Sequence, residues 1–264
     1  MPTPRLADGR KLAWREEGSG PPLVLVHGSP GDSRSWSRVA PHLKDRFRVL
    51  AVDLPGYGGS DRVPDEPVGR TALMGAAVAR LIETCGQPVR VAGHSYGGNV
   101  ALQAALQAEP AAVERVALFE PVFFRALQLT NDAALAPAAA HFENYVGRVL
   151  AGEDNVVRLM VDYWFGVGAY ARLPEPVRGY LNANAGRNAH DVRSSFNDTA
   201  TAEQLAALDR PVLVVHGDRS PEVVRAIGRA LLLLLPDGRL EGLAGANHGM
   251  LESHPAAVAG LIAS

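Results

Sequence analysis

The stretch Gly93-His94-Ser95-Tyr96-Gly97-Gly98 follows directly on an apolar run at residues 88 to 92 and directly precedes a segment, 98 to 108, whose Ala and Leu recur at helical spacing. A β-branched run, a serine between glycines and a helical pattern, in that order, make a strand, a sharp turn and a helix. The turn explains the residue types. Only small residues two before and two after the serine let the chain pass so tightly, and the serine is left in strained backbone with its hydroxyl exposed above the strand end. The bland alternative is a glycine-rich turn that happens to contain a serine. Position and flanks together favour a nucleophile.

Outward from this turn, further β-branched runs at 22 to 26, 47 to 52, 113 to 119 and 211 to 215 are bounded by Gly, Pro or Asp, with helical patterns such as 70 to 85 between them. Strand alternating with helix predicts an α/β fold: a mostly parallel central sheet with helices on both faces, and a ligand crevice outside the carboxyl ends of the strands. Residues 122 to 208 break the alternation. They show no strand pattern, and their helix-compatible pieces carry many aromatics, among them Phe123, Phe124, Phe142, Tyr145, Tyr163, Trp164, Phe165 and Tyr170. A connection this long is an insertion with a function, so the expected organisation is a core of 1–121 and 209–264 with an inserted helical lid at 122–208.

Composition removes other classes. The chain has 264 residues, 47% hydrophobic and 20% charged, which is the balance of a globular protein able to bury a core. A net charge of −2 without a basic stripe argues against nucleic acid as a partner. A lone Cys85 cannot form an internal disulfide and lacks the spacing of a zinc site. The start, punctuated by Pro2, Pro4, Asp8 and Gly9, has no apolar leader core, and the run Leu231 to Leu235 is too short to span a bilayer. A soluble, cytoplasmic protein with no membrane partner is the expectation. The glycines at 56, 58 and 59 are no dinucleotide fingerprint, because Asp61-Arg62-Val63-Pro64 after them does not open a helix. No phosphate loop or metal-binding helix occurs, so no cofactor is expected.

With these motifs the chain resembles the α/β-hydrolase superfamily over nearly its whole length. His27-Gly28-Ser29-Pro30 looks like that family's oxyanion loop, with Trp36 where many members carry Trp. Asp53-Leu54-Pro55-Gly56-Tyr57-Gly58 matches the turn after the next strand, and Ala246-Asn247-His248 looks like the histidine loop. Asp162-Tyr163-Trp164-Phe165-Gly166 resembles a group of bacterial members. The resemblance implies Ser95 as nucleophile, the backbone N–H groups of Ser29 and Tyr96 as oxyanion donors, and His248 as general base.

His248 is chosen among eight histidines because the family's order of nucleophile, acid and histidine puts the base last. His216, at a strand end, is the second candidate; His27 and His94 read as structural hydrogen-bonders. The acid is where the pattern breaks. Most relatives carry it three residues after the glycine ending the strand at 211 to 216, and here Gly217-Asp218-Arg219-Ser220 puts a serine there. Glu120, at the end of the preceding strand, and Asp218 are the candidate replacements, with Glu120 preferred; a Ser–His pair without a direct acid is the third reading. Asp53 is read as a turn-former.

The function expected is that of a cofactor-independent serine hydrolase cleaving a small carboxylic ester or related acyl compound through an acyl-enzyme. Its substrate would be a small molecule, apolar in its acyl or aromatic part, in a pocket formed with Trp36, Phe123, Phe124, Tyr163 and Trp164. Carbon–carbon bond hydrolysis or perhydrolysis on the same triad, or a non-catalytic ligand-binding protein, are the alternatives. A dehalogenase or epoxide hydrolase needs a carboxylate nucleophile, which Ser95 is not.

Overall fold

The computed structural model describes residues 9–62 and 69–264. Pro2, Pro4 and Asp8, used above against an apolar leader, and Val63 and Pro64 of the stretch after Ser60 lie outside the described residues.

Seven strands form one sheet: β1 (Ala13–Glu17), β2 (Pro22–Val26), β3 (Arg48–Asp53), β4 (Val89–His94), β5 (Val113–Phe119), β6 (Val212–Gly217) and β7 (Gly238–Leu243). Their order across the sheet is β1-β3-β2-β4-β5-β6-β7. β1 runs antiparallel to β3 and every other neighbouring pair is parallel. The five strands read from apolar runs are the five inner ones. The two edge strands carry no apolar run, and their place explains it: Trp14-Arg15-Glu16-Glu17 and Arg239-Leu240-Glu241 are half-exposed and charged, as strands paired on one side only can be.

Each inner strand is buried on both faces, and the period of two decides which side chain meets which layer. Val24, Val26, Leu50, Val52, Val91, Leu118 and Val214 point to one face. Against them pack α1 (Arg70–Thr84) and α2 (Tyr96–Gln107). The residues between them, Leu23, Leu25, Val49, Ala51, Ala92, Ala117, Leu213 and Val215, point to the other face with Trp36 and Phe119.

Between β5 and β6 the chain forms only helices among the described residues: α3 (Phe124–Thr130), α4 (Leu135–Leu150), α5 (Val157–Phe165), α6 (Ala169–Arg172), α7 (Glu175–Ala183), α8 (Ala185–Phe196) and α9 (Ala202–Ala206). They lie over the carboxyl ends of the strands, and their apolar residues join the first of the two cores. After β6 come α10 (Glu222–Leu234), which packs on the same face as α1 and α2, and, after β7, α11 (Met250–Ser253) and α12 (Pro255–Ala263) on the opposite one. No helix among the described residues is long and apolar enough to cross a membrane.

Candidate active site

The elbow is built as its glycines require. Ser95 leaves β4 with φ 55° and ψ −126°, and its N–H donates to Phe119 O on β5 at 2.9 Å. A Cβ on Gly97 would overlap the carbonyl oxygens of Val26 and His27, and one on Gly93 would overlap Gly97 O, so close approach and not flexibility demands glycine at both. The tight turn leaves the Ser95 side chain at the head of α2, where helix N–H groups have no intrahelical partner.

Three strand ends and the loop after β7 converge on that hydroxyl. His248, 5% exposed, places Nε2 3.0 Å from Ser95 Oγ, and its Nδ1 lies 2.7 Å from Glu120 Oε2. A carboxylate can only accept, so Nδ1 carries the proton and Nε2 is left to accept from the serine. Glu120 follows β5 with φ 47°, its N–H donating to Val215 O at 2.8 Å, and its side chain is fully buried. Its second oxygen, Oε1, accepts from Gly217 N–H at 2.7 Å and from the Ser220 hydroxyl. Burial pushes this carboxyl up, but His248, the Ser220 hydroxyl and the Gly217 N–H outweigh it and hold it below the usual carboxylate range.

The other candidates take different places. Asp218 is exposed and its Oδ1 accepts from Gly245 N–H at 2.9 Å, so it holds a turn and does not meet His248. His216 is half-buried, with Nδ1 on Gly217 O at 3.2 Å, and His27 bridges Leu54 N–H and Gly28 O at 3.0 and 2.8 Å. His94 donates from Nε2 to the carbonyl of His248 at 2.9 Å; burial and the neighbouring imidazole lower it to about 3. Asp53 accepts from Ser33 N–H and Gly59 N–H, both at 2.8 Å, as a turn-former does.

The loop after β2 runs beside the elbow, since a Cβ on Gly28 would lie 3.0 Å from Ser95 Cβ. Ser29 in that loop is clamped from two sides: its Oγ meets Tyr57 OH at 3.1 Å and accepts from Asn188 Nδ2 at 3.1 Å. Tyr96 is the first residue of α2, and burial pushes its phenol up, so the side chain stays neutral.

A family model described as Alpha/beta hydrolase family matches residues 23–261. The chain belongs to the alpha/beta hydrolase family. An uncharacterised protein of Mycobacterium tuberculosis is 28% identical to this alpha/beta hydrolase, over 96% of its chain and 77% of the relative's. A non-heme chloroperoxidase of Streptomyces lividans is 27% identical over 97% and 95%. Among solved structures, a hydrolase from Pseudomonas aeruginosa superposes with a TM-score of 0.75 at 27% identity, covering 99% of this chain and 96% of that one.

In this alpha/beta hydrolase the serine opens into a cavity of about 500 Å³. The inserted helices supply most of its wall: Phe124, Phe142, Met160, Trp164, Phe165, Leu173, Val177 and Leu181. Trp164 also stacks on the His248 ring, centroids 4.6 Å apart and planes 17° apart, with Phe165 edge-on at 5.9 Å. Of the five aromatics named from the sequence for the pocket, Phe124 and Trp164 line the cavity.

Trp36, Phe123 and Tyr163 do not, and each expectation is corrected by packing. Trp36 sits across the sheet, edge-on to Phe119 at 6.3 Å, and is fully buried there. Phe123 points down into the first core. Tyr163 stands behind the wall, packed edge-on to Phe142 and Trp164 at 4.8 and 4.9 Å.

Sequence reasoning missed the polar side of the cavity. α8 brings Asn188, Asp191 and Ser195 to it at helical spacing. Asp191 forms a buried ion pair with Arg70 Nε at 2.8 Å, both side chains at most 3% exposed, and also accepts from Tyr57 OH. Thr71 Oγ1 meets Ser194 Oγ at 2.6 Å beside it. These contacts tie the inserted helices to α1 and to the turn after β3. The available signal was the polar stripe along α8, but nothing local to it names partners more than a hundred residues away.

Proposed function

We propose that the protein is a cofactor-independent serine hydrolase that cleaves small, uncharged carboxylic esters through an acyl-enzyme, with the helices at 122–208 acting as a lid over the site. The observation that carries this reading is the unbroken series Ser95 Oγ, His248 and Glu120, linked at 3.0 and 2.7 Å at the base of an apolar cavity.

In this reading His248 takes the proton of Ser95 as Oγ bonds to the substrate carbonyl carbon, and the carbonyl oxygen becomes an anion held by the N–H groups of Ser29 and Tyr96. His248 then returns the proton to the departing alcohol. Glu120 stays ionised, fixes the Nδ1–H tautomer and stabilises the imidazolium. A water molecule, deprotonated in turn by His248, then bonds to the acyl carbon, and His248 returns that proton to Ser95 Oγ as the Oγ–acyl bond breaks and the acid leaves.

Charge supports an uncharged substrate. Among the described residues no Lys or Arg lines the cavity, whereas Asp191 and Glu252 do, and Arg70 is committed to Asp191. With Glu120 on His248, the reading of a binding protein without turnover loses the observation that favoured it. Perhydrolysis on the same triad is the second reading, favoured by the full-length relative named non-heme chloroperoxidase.

Labelling with a fluorophosphonate tests the proposal. Stoichiometric modification, detected as added intact mass and abolished in Ser95→Ala, is the expected result. An unmodified wild-type protein overturns it.

A further inference from the structure

Asn188 is 3% exposed and lines the cavity on the α8 side. Its Oδ1 accepts from Tyr145 OH at 2.7 Å and its Nδ2 donates to Ser29 Oγ at 3.1 Å. A primary amide carries two N–H donors, and these two bonds use one of them. Exchanging the amide oxygen and nitrogen changes nothing in this balance, because the nitrogen would then donate to Tyr145 and again keep one N–H in hand. The other polar groups on this wall already have partners: Asp191 serves Arg70 and Tyr57, and Ser195 Oγ donates to Asp191 O at 3.0 Å.

A buried donor without a partner is costly unless something meets it. This one lines a cavity whose wall is mostly apolar, and it lies one hydrogen bond from Ser29, whose backbone N–H faces the scissile carbonyl oxygen in the reading above. An acyl group bound at that carbonyl then shares the cavity that Asn188 lines.

We infer that Asn188 reads a neutral acceptor oxygen on the acyl part of the substrate, so that the preferred substrates are uncharged esters or lactones with an ether, carbonyl or hydroxyl oxygen close to the scissile carbonyl. The inference deepens the serine-hydrolase reading and rests on it. A site built to hydrogen-bond an oxygen rejects the analogue without it, since its own polar group is then left unmet.

The probes are p-nitrophenyl hexanoate and its analogues in which one methylene of the acyl chain is replaced by an ether oxygen at successive positions. Each kcat/KM is divided by the hydroxide rate constant of the same ester, which removes intrinsic reactivity. For the wild-type enzyme one oxygen position exceeds hexanoate by about five- to tenfold, and Asn188→Leu brings that preference to about one. Ser29→Ala removes the bond shared with Asn188 but keeps the amide, so it keeps the preference even if both esters slow.

A wild-type profile flat along the chain overturns the inference, and this measurement needs no variant to fold. A preference that survives Asn188→Leu also overturns it, because Asn188 would then only hold Ser29. Fluorophosphonate labelling separates the two levels: labelled protein without an oxygen preference sinks the inference alone, and unlabelled protein that turns over no ester sinks the serine-hydrolase reading and the inference with it.

Discussion

Ser220 donates its hydroxyl hydrogen to Glu120 Oε1, while Glu120 Oε2 faces His248 Nδ1 at 2.7 Å. The residue after β5 thus supplies the carboxylate, and a residue in the loop after β6 supplies a donor that keeps it ionised and oriented. Parallel neighbours with matched register, Phe119 opposite Val215, bring the two loops to the same height.

Removing the carboxylate's charge tests the reading directly. Glu120→Gln keeps the shape but removes the charge and lets the imidazole take the wrong tautomer, a change that costs about 10⁴ in kcat in a comparable triad. Asp218→Asn, which alters only an acceptor for Gly245 N–H, leaves most of the activity. Steady-state kinetics on both variants check this; the reverse ranking would transfer the acid role to Asp218.

Ser220→Ala tests the shared arrangement. Glu120 keeps the Gly217 N–H but loses the hydroxyl, one of the groups that hold its carboxyl low. We expect kcat to fall about tenfold, the size of one charge-assisted hydrogen bond, with KM nearly unchanged and partial rescue by Ser220→Thr. Because a folded-state pKa below the unfolded value stabilises above it, the variant is also less stable than the wild type at neutral pH and loses less of its stability as acid is added. Urea melts between neutral and acid pH read that difference.

Ser95 and His248 were legible because the evidence for each is local: a glycine-bounded turn between strand and helix, and a histidine loop late in the chain. Glu120 was legible only as one of two carboxylates, since its meeting with His248 depends on β5 and β6 being neighbours. Ser220 read as a lost acid, because a serine's use as a donor to a carboxylate from another strand end leaves no mark in its own neighbourhood. Trp36 misled for a related reason. It lies in a turn, where the alternation that assigns strand residues to a face does not apply, and it went beneath the sheet. Asn188 and Asp191 depend on how α8 faces α1 and the β2 loop, a tertiary matter.

His94 gives the pH response of the core. Its pKa is lowered from 6.5 to about 3 by burial and by His248, so between those values the unfolded chain binds a proton that the folded chain does not. Stability is therefore fully present above about pH 6.5 and falls as pH drops toward 3. Chemical-denaturation midpoints for wild type and His94→Gln should diverge in slope across this window by about one proton, and parallel curves would contradict the assignment.

Substrate charge provides a test on the cavity itself. Moving a carboxylate into an apolar cavity without a cation is expensive; among the described residues no Lys or Arg lines this one, and Arg70 behind it is already paired with Asp191. An ester whose acyl chain ends in a carboxylate should show kcat/KM about 100-fold below the uncharged ester of equal length. Equal rates would mean that the far end of the acyl group stays in water.

The Arg70–Asp191 pair joins the inserted helices to the core, and its energetics separate two roles. Burying both charges costs desolvation that their attraction roughly offsets, so the pair adds little net stability, whereas removing one partner takes away the charge that compensates the other here. Asp191→Asn or Arg70→Met alone should then destabilise by about 3–5 kcal/mol. The double variant Arg70→Met with Asp191→Leu should recover much of that loss. Function should not recover with it. Tyr57 donates to Asp191 and meets Ser29 Oγ at 3.1 Å, so without the carboxylate the clamp on the loop after β2 loses one of its anchors. Thermal melts and ester kinetics on the three variants distinguish the cases: stability restored with kcat still low identifies the pair as a positioning device for Ser29, and kcat restored along with stability makes it a fastening for α8 alone.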